Sequence, residues 1–231
     1  MTVVDLALAV PPQSAYRVEQ LSLIVDDSER NRAARFHHND DRSLYITAHA
    51  LARLALTRRR PRIAPSDWRF SNGPWGRPHP VNIETGKLQF NRSHTRGMTA
   101  VAVAEEVDVG VDVKWTRPDD WIYETATTVF SSAEVDSLLT LDEEERRDRF
   151  FLYWTLKESD IKARGMGVSL PLTRISFART VGEDAVLDLG PSLEDDAASW
   201  AFATFRPAPE VRGAIAVRTP SLNMEVSWPD V

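Results

Sequence analysis

Two acidic side chains stand where the apolar patterning of this chain calls for core. They are Asp112, in Gly110-Val111-Asp112-Val113-Lys114, and Glu158, in Trp154-Thr155-Leu156-Lys157-Glu158-Ser159. A pair of carboxylates can hold a hard divalent cation or take up a proton. Around the first, Val107, Val109, Val111 and Val113 alternate with Asp108, Gly110, Asp112 and Lys114, the period of a strand with one covered face. The Asp112 face reads either as an ordinary solvated surface or as a binding face, and a glycine inside the strand favours close approach by a ligand or another backbone. Around the second, Phe150, Trp154 and Ile161 recur at helical spacing, with Gly165 and Gly167 as stop signals. Trp154 itself reads as core packing. Glu158 and Lys162, four apart, share a helix face. They are either a surface ion pair contributing about 0.3–0.5 kcal/mol, or part of a site, since a carboxylate bordering an apolar stripe is costly unless paired or metal-bound.

A third polar segment, Gln89 to Gly97, joins a short strand to the apolar run Met98–Ala104, which predicts a loop carrying Ser93 and His94 between Arg92 and Arg96. Upstream, residues 28 to 62 hold nine arginines, among them Arg32, Arg42 and Arg53, against the acids Glu29, Asp40 and Asp41. Such a cluster suits a multiply phosphorylated ligand or an acidic protein surface, or is a solvated basic helix.

The elements that must position these residues read as follows. Strand Leu21–Val25 precedes a helix from about Asp41 to Thr57, then a Pro- and Gly-rich stretch Pro61–Pro80, then strands near Leu88–Phe90 and Met98–Ala104. Strand Val107–Val113 begins the pattern again. A helical region opened by the capping-box pattern Ser131-Ser132-Ala133-Glu134 runs to Arg164, and strands near Arg174–Ala178, Trp200–Phe205 and Ala214–Arg218 follow. Between the last strands, residues 180 to 205 hold no Lys or Arg and a group of acids, which reads as a turn-rich surface. Strands and one long helix thus occur twice, predicting two similar halves, 1–106 and 107–231. Tyr45–Arg53 can be laid on Trp154–Lys162 without a gap, pairing His49 with Glu158 and Arg53 with Lys162.

A chain of 231 residues with 42% hydrophobic content can bury a sizeable core. The absence of cysteine excludes disulfides, thiol catalysis and Cys-ligated zinc. A net charge of −6 argues against a general nucleic-acid binder. No apolar stretch approaches a membrane span of about 20 residues, and the start lacks the basic region of a signal peptide, so a cytoplasmic protein without membrane contact is expected.

Taken together, Phe90-Asn91-Arg92-Ser93-His94-Thr95, Gly110-Val111-Asp112-Val113 and Trp154-Thr155-Leu156-Lys157-Glu158-Ser159 with Lys162, Gly165 and Gly167 resemble, in order and spacing, the 4′-phosphopantetheinyl transferases. The resemblance is to the double-length type that activates nonribosomal peptide and polyketide synthases, and it covers about residues 20 to 175. Gly76-Arg77-Pro78 is a further match, to the family's Gly-Lys-Pro turn. The resemblance implies an α+β fold of two halves related by a pseudo-twofold axis, each a small antiparallel sheet against a long helix, with the site between them. It implies a monomer, because the second half supplies what a symmetric partner otherwise would.

It further implies transfer of the phosphopantetheine arm of coenzyme A to a serine of an apo acyl or peptidyl carrier protein, releasing adenosine 3′,5′-bisphosphate. Carried over by motif, Asp112 and Glu158 hold Mg²⁺, or Mn²⁺, and Glu158 is also the base for the carrier serine. Lys162 contacts the transferring phosphate. Ser93 and His94 bind the 3′-phosphate, with Arg77 in its Gly76–Pro78 turn, Arg32, Arg42 and His49 along the same ligand. One departure stands out: the family usually has Glu two residues after the Asp, and here that position is Lys114. A cation there opposes Mg²⁺ unless water replaces the third ligand or Lys114 turns to a pyrophosphate oxygen. A binding module for coenzyme A and carrier protein that has lost catalysis, or a Mg²⁺-dependent phosphohydrolase, are the alternative readings.

Overall fold

A strand that is apolar on both faces has to lie between two layers, and the chain begins with one. In β1 (Thr2–Ala9) the last six residues are buried. Leu6 and Leu8 point to one layer and Ala7 and Ala9 to the other. The computed structural model describes residues 1–73, 75–82, 86–116, 122–165, 171–178, 184–189, 195–229 and 231.

After β1 come α1 (Ala15–Ser22), α2 (Asp27–Ala33) and the long α3 (Asn39–Arg59), then short strands β2 (Phe70–Asn72) and β3 (Pro78–Pro80). A hairpin of β4 (Leu88–Thr95) and β5 (Met98–Glu105) leads to β6 (Val109–Trp115). The second helical stretch is α4 (Ile122–Val129), α5 (Ser132–Leu139) and α6 (Glu143–Arg164). Strands β7 (Ile175–Ala178), β8 (Asp184–Leu189), β9 (Ala201–Ala208), β10 (Val211–Val217) and β11 (Leu222–Ser227) complete the described elements.

Two main sheets form, ordered β11-β1-β5-β4 and β6-β10-β9-β8-β7. They pack face to face through Val4, Leu6, Ala100 and Ala102 on one side and Val109, Val111, Val113 and Ile215 on the other. Helix α3 covers the outer face of the first sheet with Leu51 and Leu56 against Phe90 and Val101. Helix α6 covers the second with Phe150, Leu156 and Ile161 against Phe177 and Phe202. The layers therefore run helix, sheet, sheet, helix, an α+β arrangement in which each sheet carries one long helix, as expected.

Both long helices and the Ser131–Glu134 capping box form where sequence places them. Three expectations change. Residues 21–25 are the end of α1 and a turn: Val18 and Leu21, three apart, face α3, and Asp26 ends the run by capping α2 with a reciprocal Glu29 box. Ser93 and His94 lie in β4, which pairs with β5 out to Thr95↔Met98. The sheets are not wholly antiparallel, because β11 pairs with β1 in parallel. A division at residue 106 therefore leaves residues 222–227 in the sheet of the first half. Gly167, Glu183 and Glu194 lie outside the described residues.

Gly110 has a definite cause. A Cβ at that position would lie 2.1 Å from the carbonyl oxygen of Ser159 and 2.5 Å from the amide nitrogen of Ala163. The close backbone is α6, and the Asp112 face of β6 is packed against it rather than solvated. We expect Gly110→Ala to lower the urea unfolding midpoint by the equivalent of about 1–3 kcal/mol or more, as overpacking does. A midpoint equal to that of the parent protein would contradict this packing.

Candidate active site

An edge strand leaves alternate N–H and C=O groups without strand partners. Strand β6 is the edge of the second sheet and β4 the edge of the first. The two edges are joined by side chains. On β4, Asn91, Ser93 and Thr95 occupy alternate positions facing the second sheet. The Val111 amide donates to Asn91 Oδ1 (3.1 Å), the Val113 amide to Ser93 Oγ (3.3 Å) and the Trp115 amide to Thr95 Oγ1 (3.0 Å). The outward carbonyls are met too: Val109 accepts from Arg77 Nη2 (3.1 Å) and Val111 from Lys162 Nζ (3.2 Å).

Asp112 sits within this edge with no exposed surface. Its Oδ1 accepts from the Ser93 hydroxyl (2.8 Å) and from the Lys162 ammonium (2.6 Å). Its Oδ2 has no hydrogen-bond partner among the described residues, and Lys114 Nζ lies 3.7 Å from it. Glu158 titrates above the ordinary carboxylate range. Burial is the first cause and the Asp112 charge the second, while Lys114 and Lys162 pull the other way. Two carboxylates of one cluster, one raised by the other and one with an orphaned buried oxygen, are a donor set that suits a hard divalent cation. Among the described residues no group of three or more His, Cys, Asp or Glu side chains is arranged to hold a metal ion. The carboxylates of this cluster are two, with Lys114 on the Asp112 side of the strand.

Helix α6 sorts its motif by face. Lys157, 2% exposed, pairs with buried Glu134 Oε2 at 2.8 Å and donates to the Leu172 carbonyl (2.8 Å), so it secures α5 and the chain entering β7. Glu134 closes its own cap and also accepts from the Phe177 amide (3.0 Å). Glu158, the next residue, faces β6. Trp154 stacks on Phe150 at 5.7 Å, as core packing requires.

The first half holds a cleft of about 1000 Å³. Arg32, Arg35 and Arg92 supply its cations, Phe36 and Tyr45 its aromatic wall, and His49, Gly76 and Pro78 also line it. Tyr45 stacks against His49 at 4.1 Å, with the Arg32 guanidinium 5.8 Å over its ring. His49 Nδ1 is 2.7 Å from Glu29 Oε1. Burial alone would raise Glu29, but His49, the Asp26 amide and Arg53 hold it down at about 2. His49 is lowered by burial and by Arg92 and Arg53, against the upward pull of Glu29.

Asp112, Glu158 and Lys162 are not among the residues lining that cleft. His94 links the two places. It is exposed on β4 beside Arg92, and its pKa is lowered by desolvation and then by Lys162, Arg92 and Lys114.

Sequence-expected residues thus fall into two groups. Asp112, Glu158, Lys162 and Ser93 come together at the β6 edge, and Arg32, His49, Gly76 and Pro78 at the cleft. Two stand elsewhere. Arg77 is turned away from the cleft into the backbone, donating to the Ala163 carbonyl (2.7 Å) at the end of α6 as well as to Val109. Arg42 is exposed in the first turn of α3 and does not line the cleft. The Ser93 hydroxyl gives its proton to Asp112, which leaves none for a ligand. Of the other arginines, Arg53 has no exposed surface and is bonded to Glu29, Asp26 and two carbonyls, while Arg59 pairs with Asp5 and Arg60 with Glu105. Sequence reasoning missed Asn91 and Thr95 as the side chains that join the two strand edges, and Arg92 as a cleft residue. The signal for the first two was the polar alternation Asn91, Ser93, Thr95 itself.

The family described as the 4′-phosphopantetheinyl transferase superfamily matches residues 108–215, a span that contains Asp112, Glu158 and Lys162. The chain is 27% identical over 216 residues to the 4′-phosphopantetheinyl transferase Sfp of Bacillus subtilis, covering 94% of this chain and 92% of that one. It is 28% identical over 207 residues to the 4′-phosphopantetheinyl transferase HetI of a Nostoc species, covering 89% and 83%. A crystal structure of holo-acyl-carrier-protein synthase from Thermotoga maritima shares 21% identity, with 50% of this chain and 65% of that one covered at a TM-score of 0.39, too slight a likeness to argue from.

The electrostatics of the carboxylate pair carry a test. In the metal-free protein, carboxyl-carbon NMR is expected to show Glu158 titrating above an ordinary Glu, lower in Asp112→Asn and higher in Lys114→Met. Because its folded value exceeds the unfolded one, its contribution to stability is full below the ordinary carboxylate value and is lost as pH rises through the folded value. A Glu158 titration unmoved by Asp112→Asn would separate the two carboxylates.

Proposed function

As this chain belongs to the 4′-phosphopantetheinyl transferase superfamily, we propose that it moves the 4′-phosphopantetheine arm of coenzyme A to a serine of an apo acyl or peptidyl carrier protein. The observation that carries the reading is the state of Asp112: a fully buried carboxylate with one oxygen fixed by Ser93 and Lys162 and the other without a hydrogen-bond partner, in the same cluster as Glu158.

The serine oxygen bonds to the phosphorus that bears pantetheine. The bond from that phosphorus to the bridging oxygen breaks, and adenosine 3′,5′-bisphosphate leaves with the bond's electrons. Glu158, as carboxylate, takes the serine proton directly or through water. Its raised pKa makes it a stronger base than a free Glu, and it is protonated and idle at low pH. Asp112 and Glu158 would hold Mg²⁺ or Mn²⁺, which when bound offsets the pyrophosphate charge. Lys162 lies beside the transferring phosphate. To reach it, the ammonium gives up one of three bonds, and the longest is that to the Val111 carbonyl at 3.2 Å. The cleft arginines Arg32, Arg35 and Arg92 and the Tyr45 wall suit the nucleotide. His94, under the charges of Arg92 on the cleft side and of Lys162 and Lys114 on the carboxylate side, is assigned to the 3′-phosphate. Lys114, 35% exposed, can meet a pyrophosphate oxygen or oppose the metal.

The test is incubation with coenzyme A, Mg²⁺ and an apo carrier protein, read by mass. We expect the carrier to gain the phosphopantetheine arm. No gain over several carriers, or breakdown of coenzyme A without a carrier, would contradict the reading. Asp112→Ala and Glu158→Ala should each slow transfer at least about a thousandfold, the loss of several kcal/mol of charge stabilisation, in protein that circular dichroism shows folded. His94→Ala should raise the Michaelis constant for coenzyme A more than for 3′-dephospho-coenzyme A. Lys114→Glu should tighten Mg²⁺ binding in a calorimetric titration; unchanged or weaker affinity would show that Lys114 does not oppose the ion.

A further inference from the structure

Ser93 lies in the segment whose family resemblance implies a phosphate contact, yet its hydroxyl is used up within the protein. A serine hydroxyl has one proton and two lone pairs. The proton goes to Asp112 Oδ1 at 2.8 Å, and the oxygen accepts from Lys162 Nζ at 3.0 Å and from the Val113 amide at 3.3 Å. The residue is 6% exposed. We infer that Ser93 is a positioning residue, whose hydroxyl fixes Asp112 and Lys162 so that Asp112 Oδ2, without a hydrogen bond and with Lys114 3.7 Å away, is presented to a divalent cation.

Three observations support this. The three bonds converge on one atom and come from three parts of the site: the β6 backbone, the β6 carboxylate and the α6 ammonium. Asp112 Oδ1 is doubly bonded while Oδ2 has no hydrogen-bond partner among the described residues, an asymmetry that rotation about the Cβ–Cγ bond would erase were Oδ1 not held. Thr95, two residues on, accepts the same kind of bond from the Trp115 amide at 3.0 Å, and among the described residues its hydroxyl bonds to no charged side chain. Joining the two strand edges therefore does not by itself account for the contacts of Ser93. The inference deepens the reading proposed above and rests on it for the identity of the cation.

Calorimetric titration of the whole protein with Mg²⁺, without coenzyme A or carrier, tests the inference apart from catalysis. Ser93→Ala is expected to weaken Mg²⁺ binding about 10- to 100-fold, the usual effect of losing a group that orients a ligand. Thr95→Ala should leave the affinity within about twofold, and Ser93→Thr, which keeps the hydroxyl, should restore most of it. In the transfer assay Ser93→Ala should lower kcat and change the Michaelis constants for coenzyme A and 3′-dephospho-coenzyme A alike. Should Ser93→Ala fail to fold, Ser93→Cys keeps nearly the same shape in a chain with no other cysteine and offers only a weak hydrogen-bond partner. Intact Mg²⁺ affinity in either variant, or a Michaelis constant raised for coenzyme A alone, would overturn the inference and return Ser93 to the phosphate. A parent protein that binds Mg²⁺ but transfers nothing would sink the transferase reading while the comparison of variants still decides this one.

Discussion

The outer edge of β6 governs this structure. A buried strand edge must have its amides and carbonyls met, and among the described residues no strand lies there to meet them. Asn91, Ser93 and Thr95 take the amides, while Arg77 and Lys162 take carbonyls. Five polar side chains from β4, α6 and the turn before β3 are thereby drawn to one line. The same requirement that closes the gap between the two sheets assembles the candidate site.

From that line the electrostatics follow. Gly110 lets α6 approach until only a hydrogen fits between backbones, which brings Glu158 and Lys162 over Asp112. Burial makes each carboxylate costly. Lys162 and Ser93 compensate one oxygen of Asp112, and Glu158 is raised first by its own burial and then by the charge that remains on Asp112. Lys114 relieves part of it from 3.7 Å and is accessible enough to move. The cluster thus holds two carboxylates and a partly exposed cation. A structural counterpart sits in the first half: Arg53 and His49, on α3, bind Glu29 much as Lys162 binds Asp112 below Glu158.

Much of this was legible in the sequence where the signal is local. The helices α3 and α6 have long apolar periodicity, α5 has its capping box, and the valine alternation marks β6. Asp112 and Glu158 stood out because an acid in such patterns needs a reason. What stayed hidden depends on contacts far apart in the chain. Ser93 reads as a loop residue because a polar strand edge looks like a loop until the amides it serves, 20 residues away, are in place. Arg53 and Arg32 are equivalent in a count of basic residues. Only the fold encloses the first with Glu29 and leaves the second lining the cleft. Gly110 announced a close approach without naming α6 as what approaches. Leu21–Val25 shows the remaining weakness, since a short apolar run fits a helix end and a strand equally well.

The central claim is that Asp112 is held at Oδ1 by the protein and offered at Oδ2, beside Glu158, to a divalent cation. The most direct measurement is a crystal structure with Mn²⁺ and coenzyme A, with the ion located by its anomalous scattering. The account predicts a peak bonded to Asp112 Oδ2 and to Glu158, with the Ser93 and Lys162 bonds to Oδ1 unbroken. A peak away from these carboxylates, or one on Oδ1 with the Ser93 hydroxyl displaced, would contradict it.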